Sequence, residues 1–457
     1  MRTLTLLLLL AASTAALAAG PASIDNDDSC DISLLPAATL LLPYFEVDFT
    51  APAGTGETTI FTLTNVSELP QIAQVTLWTD FEYPVLAFNI FLTGYDVQSI
   101  NLYDVIRRGQ IAPDEGTGLD VSHVGELSGN FATQKVFDNP LVNEQSCTDL
   151  PVQLPQSYIN RMQSVFTTGK LPALGSSPGC NTAGAVHTNA IGYATVDVVN
   201  ACGARLPTEP GYFANVIGFD NVLGGDYMQV NGNEDFAQGS AMVHIRAIPE
   251  GGTGQTRAAN AATYAVRSPR TFYSRFQHST TPRFDARQPL PATFAARWIS
   301  GGATGFETYY KIWREGRSPA ATPCSAYPGN ASMGFVDAVL FDEEENPETL
   351  APDIVICTPI PFHPTLPAAS LVSVSDESVF PPNTLGAVAG WMYMNLDYCT
   401  RDDFASQNWV VTSMRAEDRF SVDIDAMALG NGCSAPVAAS NAIGGVKPIG
   451  PAPNVRE

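Results

Sequence analysis

The chain has 457 residues, a formal net charge of −23 and a pI of about 4.4. Such a negative surface repels nucleic acid and anionic lipid, so the composition argues against nucleic acid as a partner. Charged residues make up only 15% of the chain, while 37 Gly and 34 Pro accompany 45% hydrophobic residues. This composition is typical of a turn-rich β protein, and the length suggests two or three domains.

The first nineteen residues have the pattern of an export signal. Arg2 gives a short positive segment, an apolar run covers residues 4–12, and Ala16-Leu17-Ala18 is the small-x-small pattern that signal peptidase recognises. The run is too short to span a bilayer, and no later stretch reaches the roughly 20 apolar residues of a membrane helix. The sequence predicts a Sec-type signal peptide, an extracellular or periplasmic mature chain of charge −24, and no transmembrane segment.

Short strand patterns dominate the next hundred residues, at a spacing of about 8–12 residues that favours an antiparallel sandwich. The predicted strands are Thr58–Thr64, Gln74–Trp78, Val85–Leu92 and Asp96–Leu102. Two short helices are predicted in insertions, Leu102–Arg108 before Gly109 and Tyr158–Thr168 before Gly169.

Four of these segments form a string of strands and turns that has a counterpart among known modules. They are TLTN (Thr62–Asn65), AQVTLW (Ala73–Trp78), VLAFNIFL (Val85–Leu92) and VQSINL (Val97–Leu102). The string resembles the immunoglobulin-like modules common on bacterial surfaces. The resemblance covers about a tenth of the chain and implies adhesion, spacing or display by analogy.

The second half of the chain repeats features of the first. Gly192–Cys202 matches Gly390–Cys399 in pattern and approximate length, and each half has a strand that ends in Trp, Gln74–Trp78 and Tyr309–Trp313. Each half also has a late pair of strands: Tyr227–Val230 with Ala241–Ala247, and Trp409–Met414 with Phe420–Ala426. These matches predict two related sandwiches that arose by duplication; the alternative is two unrelated sandwiches.

The predicted fold is therefore all-β, with two antiparallel sandwich domains of immunoglobulin-like or jelly-roll type. The predicted segments are a signal peptide at 1–19, a first sandwich at 20–255, an Arg- and aromatic-rich connector at 256–297, a second sandwich at 298–436 and a flexible tail at 437–457.

Eight cysteines are present and none forms a CxxC pair, while the five histidines are scattered, so a zinc site is not predicted. An even number of widely spaced cysteines in an exported chain predicts four disulfides. We favour Cys147–Cys180 and Cys399–Cys433. The eight cysteines are Cys30, Cys147, Cys180, Cys202, Cys324, Cys357, Cys399 and Cys433.

Catalytic and metal motifs are weak. Gly175–Gly179 satisfies G-x-S-x-G but lacks the strand before it and the helix after it that a nucleophile elbow needs, so we interpret it as a loop. Asp25–Asp31 lacks the glycine and the final acid of an EF-hand. Three acidic segments are interpreted as solvated turns, with a looser calcium site as the alternative: Asp25–Asp31, Phe341–Pro347 and Asn231–Asp235. We assign no catalytic or metal-ligating residue.

Residues 257–297 carry seven Arg and one acid, Asp285, in an otherwise acidic chain. Aromatic residues alternate with these arginines: Tyr264, Phe272, Tyr273, Phe276, Phe284 and Phe294. One interpretation is a strip that binds acidic polysaccharide or nucleic acid. The favoured interpretation is a connector whose arginines pair with acidic faces of both sandwiches.

Alternation in two strands indicates outward-facing aromatic residues. Residues 306–313 place Tyr309 and Trp313 opposite Phe306, Tyr310 and Ile312, and residues 391–397 place Trp391 and Tyr393 opposite Met392, Met394 and Leu396. Aromatic rings flanked by Asp and Asn suit sugar binding. The alternative is that a loop or the neighbouring domain covers these rings.

The sequence favours a non-catalytic secreted structural or adhesive protein associated with the cell surface, with self-association or other surface proteins as partners. The alternative is a carbohydrate-binding protein that uses Tyr309, Trp313, Trp391 and Tyr393 for an extracellular polysaccharide. A secreted hydrolase with a site assembled from separate loops is a third hypothesis.

Overall fold

The computed structural model describes residues 32–110, 135–136, 154–174, 179–200, 205–209, 211–247, 271–276, 285–316, 333–349, 364–398, 406–416 and 420–429. Within these ranges antiparallel β-sheet dominates and helices are few, which confirms the predicted all-β, sandwich-like fold.

The strands are numbered in chain order. They are β1 Thr39–Val47, β2 Glu57–Asn65, β3 Gln71–Thr79, β4 Pro84–Leu92, β5 Val97–Asn101, β6 Lys135–Val136, β7 Ala190–Val199, β8 Leu223–Asn231, β9 Phe236–Ala241, β10 Val243–Ile245, β11 Thr293–Ile299, β12 Phe306–Arg314, β13 Met333–Asp342, β14 Pro347–Thr349, β15 Thr365–Leu366, β16 Ala369–Ser373, β17 Ala389–Tyr398, β18 Asn408–Ala416, β19 Phe420–Asp425 and β20 Met427–Ala428.

Helix α1, Gln156–Thr168, contains the predicted helix Tyr158–Thr168 and ends at Gly169, whose φ of 65° suits glycine. The other predicted helix is a single π-helical turn, Asp104–Arg108, that ends at Gly109. Further short turns of helix are Tyr212–Val216, Ser274–Phe276 and Gly302–Thr304.

Two sheets form the first half of the fold. Sheet 1A has the strand order β5-β2-β8-β9, and sheet 1B has the order β10-β1-β7-β3-β4-β6. Alternate side chains of the two sheets meet in one core, which includes Leu40, Phe61, Val75 and Val196 and is covered at one end by α1.

The second half repeats this arrangement strand for strand. Sheet 2A has the order β16-β12-β18-β19, and sheet 2B has the order β20-β11-β17-β13-β14, with β15 paired to β13. If β1, β2, β3, β4, β5, β7, β8, β9 and β10 are matched in chain order with β11, β12, β13, β14, β16, β17, β18, β19 and β20, every strand pairing is the same. Only β6 and β15 lack a counterpart among the described strands.

This correspondence sharpens the sequence comparison and corrects two parts of it. Gly192 and Gly390 do lie in equivalent strands, β7 and β17. The two strands that end in Trp are not equivalent, because Trp78 lies in β3 and Trp313 lies in β12, the counterpart of β2. The strand that pairs with β8 is Phe236–Ala241, since β10 pairs with β1 instead.

The two halves pack against each other through a second core. Strand β1 is buried on both faces: Leu40 and Leu42 face sheet 1A, while Leu41 and Tyr44 face the second half. A strand covered on both sides reads as the continuous apolar run found here. The outer face of sheet 2A packs on strands β1 and β7 of sheet 1B.

Candidate functional site

The outer face of sheet 2A carries two of the four predicted binding aromatics, and the first half covers it. Trp313 is fully buried; its ring meets Tyr193 of β7 edge to face at 5.9 Å and lies 5.4 Å from the ring of Phe272. The expectation that Trp313 faces solvent is therefore wrong. Alternation placed it on the correct face of its sheet, but that face is an internal interface.

Tyr309 lies on the same face, half-buried beside Arg415. The guanidinium carbon of Arg415 is 5.1 Å from the Tyr309 ring and 4.6 Å from the ring of Phe236 in β9. The cation thus bridges aromatic rings of the two halves. Tyr309 is part of the interface rather than an open sugar platform.

Polar groups at this interface join the end of sheet 1A to sheet 2A. Lys311 pairs with Asp423, both side chains are fully buried, and the Tyr227 ring lies 5.4 Å from the Lys311 ammonium. Burial lowers the pKa of Lys311 to about 8, although Asp423 opposes the shift. Nearby, Gln238 donates from Nε2 to Ser413 Oγ over 2.6 Å. Strands β8 and β9 therefore extend past the edge of sheet 1B and are covered by β18 and β19.

The described part of the Arg- and aromatic-rich connector is core. Phe272, Tyr273 and Phe276 are buried, and Phe276 stacks on Trp78 at 5.7 Å. Arg275 Nη2 lies 2.8 Å from Glu82 Oε1, and both side chains are almost completely inaccessible. These residues seal the junction between the halves, which agrees with the favoured interpretation and leaves these rings and Arg275 unavailable for an external polysaccharide.

A buried carboxylate anchors this connector to sheet 1B. Asp197 Oδ2 accepts hydrogen bonds from the hydroxyls of Tyr212 at 2.6 Å and Tyr273 at 2.8 Å, and its Oδ1 accepts one from Thr39. Arg287 donates from Nε to the Thr39 hydroxyl at 2.8 Å. Burial raises the pKa of Asp197, and Arg287 is the main group that opposes the shift. With every partner buried, the cluster serves as a structural clamp.

The outer face of sheet 2B carries the other two predicted aromatics. Trp391 and Tyr393 are half-buried there, in line with Asn395, while Met392 and Met394 fill the core as expected. Trp391 stacks on Phe341 of β13, with ring centroids 3.9 Å apart and planes within 5°. This face is the counterpart of the face of sheet 1B on which Trp78 stacks on Tyr193, with planes within 1°.

The two equivalent faces differ in what covers them. In the first half, the surface formed by sheet 1B and the overhanging β8 and β9 lies under sheet 2A. In the second half, no described sheet covers the matching surface, although Val339 and Phe341 on the outer face of sheet 2B are buried. We call it the acceptor surface; besides the half-buried Trp391 and Tyr393, it exposes Phe420 at 60%, Val422 at 42%, Ile424 at 52% and Met427 at 70%.

Two further buried carboxylates, those of Asp80 and Glu82, make structural contacts. His187 Nε2 lies 3.0 Å from Asp80 Oδ2, and Asp80 Oδ1 accepts a hydrogen bond from the Ala185 amide. This pair ties the β3–β4 turn to residues 183–187. Burial raises the pKa of Glu82 to about 7, although Arg275 and the Gly316 amide favour its ionised form.

Two of the three calcium candidates lie within the described residues, and in each a side-chain oxygen accepts amide hydrogen bonds from its own turn. Asp342 Oδ1 accepts hydrogen bonds from the amides of Glu344 and Asn346, and Asn231 Oδ1 accepts one from the Asn233 amide. No group of three or more His, Cys, Asp or Glu residues that could hold a metal ion occurs in the described ranges. Asp25–Asp31 lies outside them.

Cys180 is buried and disulfide-bonded. The other seven cysteines lie outside the described residues, so the pairings Cys147–Cys180 and Cys399–Cys433 stay predictions. Ser177 and the signal segment 1–19 also lie outside.

None of the described helices has the length and apolar character needed to cross a membrane. The chain matches no protein-family model, no curated protein and no solved structure.

Proposed function

We propose that this chain is an exported, non-catalytic structural protein that assembles with copies of itself through the acceptor surface. The observation that carries the proposal is that a surface buried under sheet 2A in the first half has an apolar equivalent in the second half that no described sheet covers. Contiguous exposed apolar surface on a soluble protein marks an interaction site. The predicted export signal supports an extracellular or periplasmic location for this protein.

The edge of sheet 2A supports association. Strand β19 pairs with β18 alone among the described strands. Its exposed Phe420, Val422 and Ile424 lie on the inner face of sheet 2A and alternate with Ser421 and Asp423, which face the first half. Monomeric proteins usually protect such an edge with charges, bulges or a cover. In β19, three exposed apolar side chains continue the apolar inner face of sheet 2A beyond the core of the second sandwich.

Net charge sets the conditions for assembly. The charge of −24 expected for the mature chain makes two copies repel each other at low ionic strength. The Debye length falls from about 30 Å at 0.01 M salt to about 8 Å at 0.15 M. We therefore expect self-association to strengthen as salt rises, the opposite of the behaviour of a contact held by ion pairs.

Sedimentation velocity on the purified mature chain, at 20 mM and 500 mM NaCl, tests the proposal. The wild type should form species larger than a monomer at high salt, and Val422→Glu should stay monomeric because it places a charge in the apolar row. Val186→Glu, at an exposed valine away from this surface, should behave like the wild type. A wild type that stays monomeric at all concentrations and salts would refute self-association.

Carbohydrate binding at Trp391 and Tyr393 is a second candidate. The observation in its favour is that both rings share the outer face of sheet 2B with Asn395 and Asp337, whose pKa burial raises to about 6. A glycan array should then give a signal that Trp391→Ala loses and Tyr95→Ala, at an exposed aromatic of the first half, keeps. Absence of any glycan signal from the wild type would exclude this candidate.

A further inference from the structure

We propose that copies of this chain join head to tail, with the outer face of sheet 1A of one copy seated on the acceptor surface of the next. The inference rests on the proposed self-association and names the surface that the second copy contributes. It follows from the equivalence of the two halves and from the one interface already present between them.

The internal interface defines what an acceptor surface binds. In the first half, the outer face of sheet 1B and the inner face of β8 and β9 together receive the outer face of sheet 2A. Contacts at both ends of that surface show that one sheet spans it: Trp313 packs on Tyr193 at one end, and Ser413 accepts a hydrogen bond from Gln238 at the other.

Equivalence of strands identifies the partner of the second half. The sheet that covers the first half is 2A, and its counterpart in the fold is 1A, since β2, β5, β8 and β9 match β12, β16, β18 and β19. A third sandwich following the second would present a sheet of this type. In a second copy of the chain, sheet 1A is that sheet.

No described sheet covers the outer face of sheet 1A, and its side chains suit the role. It carries alternate residues of its strands, including Ile60, Thr62 and Ser99, with Val97 exposed at 57% and Met228 at 49%. We call this face the donor surface. It consists mainly of small and apolar side chains, so it can lie flat against an apolar partner.

The two interfaces differ in chemistry in a consistent direction. In the overhang of the first half, Gln238 donates a hydrogen bond to Ser413 and the Tyr227 hydroxyl donates one to Asp423, while Gln229 accepts one from Gln238. The overhang of the second half presents apolar Phe420, Val422 and Ile424. On the donor surface, the positions equivalent to Ser413 and Asp423 are occupied by apolar Met228 and small Gly239. Each surface therefore matches its own partner.

This contact is heterologous, because the two surfaces that meet are different. Such contacts leave one donor and one acceptor surface free at the ends of every oligomer, so assembly continues into an open filament unless the geometry closes a ring. A chain of sandwiches would result, with internal and intermolecular junctions alternating along it.

Two variants, one on each surface, test the head-to-tail arrangement in sedimentation velocity at 500 mM NaCl. Val422→Glu disables the acceptor surface, and Met228→Glu disables the donor surface. Each alone should weaken association by at least about 30-fold and remain monomeric. An equimolar mixture should form a 1:1 dimer and nothing larger, since the one intact donor fits the one intact acceptor.

Other outcomes would overturn the arrangement without removing the proposed function. If Met228→Glu still assembles while Val422→Glu does not, copies meet acceptor to acceptor. If the two variants fail to form a dimer on mixing, the surfaces are not complementary. A monomeric wild type would instead refute self-association itself.

A second variant on each surface and unfolding curves of all variants serve as controls for misfolding. Ile424→Glu should reproduce Val422→Glu, and Val97→Glu should reproduce Met228→Glu. All four side chains are at least two-fifths exposed, so the monomers should keep wild-type unfolding midpoints.

Discussion

Trp313 of β12 and Tyr193 of β7 meet edge to face, with ring centroids 5.9 Å apart and planes at 73°. The contact joins the outer faces of sheets 2A and 1B, which would face solvent if each sandwich stood alone. Edge-to-face aromatic pairs stabilise beyond the area they bury. The two halves therefore share a core at this point.

Replacing Trp313 by Ala should reduce the free energy of unfolding by about 3–5 kcal/mol, because it leaves a large cavity in this shared core. Trp391→Ala is the matched control: it removes the same side chain from the outer face of sheet 2B, where Trp391 is only half-buried, and should cost clearly less. Urea unfolding of both variants measures the difference. Equal losses would mean that Trp313 is no better buried than Trp391.

The alternation in β12 shows how far the sequence could predict this site. It correctly separated Tyr310 and Ile312, which face the sandwich interior, from Tyr309 and Trp313. A period of two assigns a residue to a face of its sheet but carries no information on whether that face meets water or another sheet. Distinguishing the two needed the position of β7, whose contact with β12 is set by the whole fold.

The comparison of the two halves failed for a different reason. It matched β3 with β12 because both end in Trp, whereas the strand pairings match β3 with β13. The indole groups fill different roles, since Trp78 stacks within its own sheet and Trp313 packs across the interface. The pattern of a whole strand predicted equivalence better than one shared residue, as the correct match of β7 with β17 shows.

The sequence indicated neither that β11, Thr293–Ile299, begins inside the predicted connector nor which partners the connector residues have. The excess of Arg over acid was visible in the sequence, yet Tyr273 and Asp197 lie 76 positions apart and no local pattern links them. Buried hydrogen-bonded clusters of this kind depend on long-range folding, so the sequence indicated the residue types and not the contact.

Tyr273→Phe tests the clamp at Asp197. The substitution removes one hydroxyl donor from a fully buried carboxylate and keeps the ring, so we expect a loss of about 1.5–3 kcal/mol in the free energy of unfolding. Tyr95→Phe, at an exposed tyrosine, should change it by less than about 0.5 kcal/mol. Chemical denaturation of the two variants provides the comparison, and a neutral Tyr273→Phe would contradict the clamp.

Glu57 should make stability depend on pH. Burial, reinforced by the carboxylate of Glu46, raises the pKa of Glu57 to about 7 from an ordinary 4.5. Between these values the folded chain keeps a proton that the unfolded chain has released, so the stability contributed by this group is complete below pH 4.5 and is lost as pH rises through 7. One such proton gives a slope of at most about 1.4 kcal/mol per pH unit.

Unfolding curves from pH 5 to 8 measure this slope. Glu57→Gln should flatten it in part, since Glu82, whose pKa is also about 7, contributes its own share. Glu343→Gln, at an exposed carboxylate that pairs with Arg297, should leave the slope unchanged. An unaltered slope in Glu57→Gln would show that Glu57 is ionised throughout the range.

Gly192 and Gly390 should be equally intolerant of a side chain. A Cβ on Gly192 would lie 2.0 Å from the carbonyl oxygen of Trp78, and one on Gly390 would lie 1.9 Å from that of Phe341. Both clashes are with backbone of the neighbouring strand, β3 or β13, which cannot move aside alone. We expect Gly192→Ala and Gly390→Ala each to cost about 1–3 kcal/mol.

Gly224→Ala, in β8, is the control for these two substitutions, because the nearest atom to its added Cβ is 3.8 Å away and the change should be neutral or slightly stabilising. Thermal and urea unfolding of the three variants compare them. Similar losses at both tight glycines would support descent of the two halves from one sandwich, since a common ancestor would explain the same close approach between equivalent strands. A large loss at one glycine alone would count against that origin and weaken the equivalence from which the head-to-tail contact is inferred.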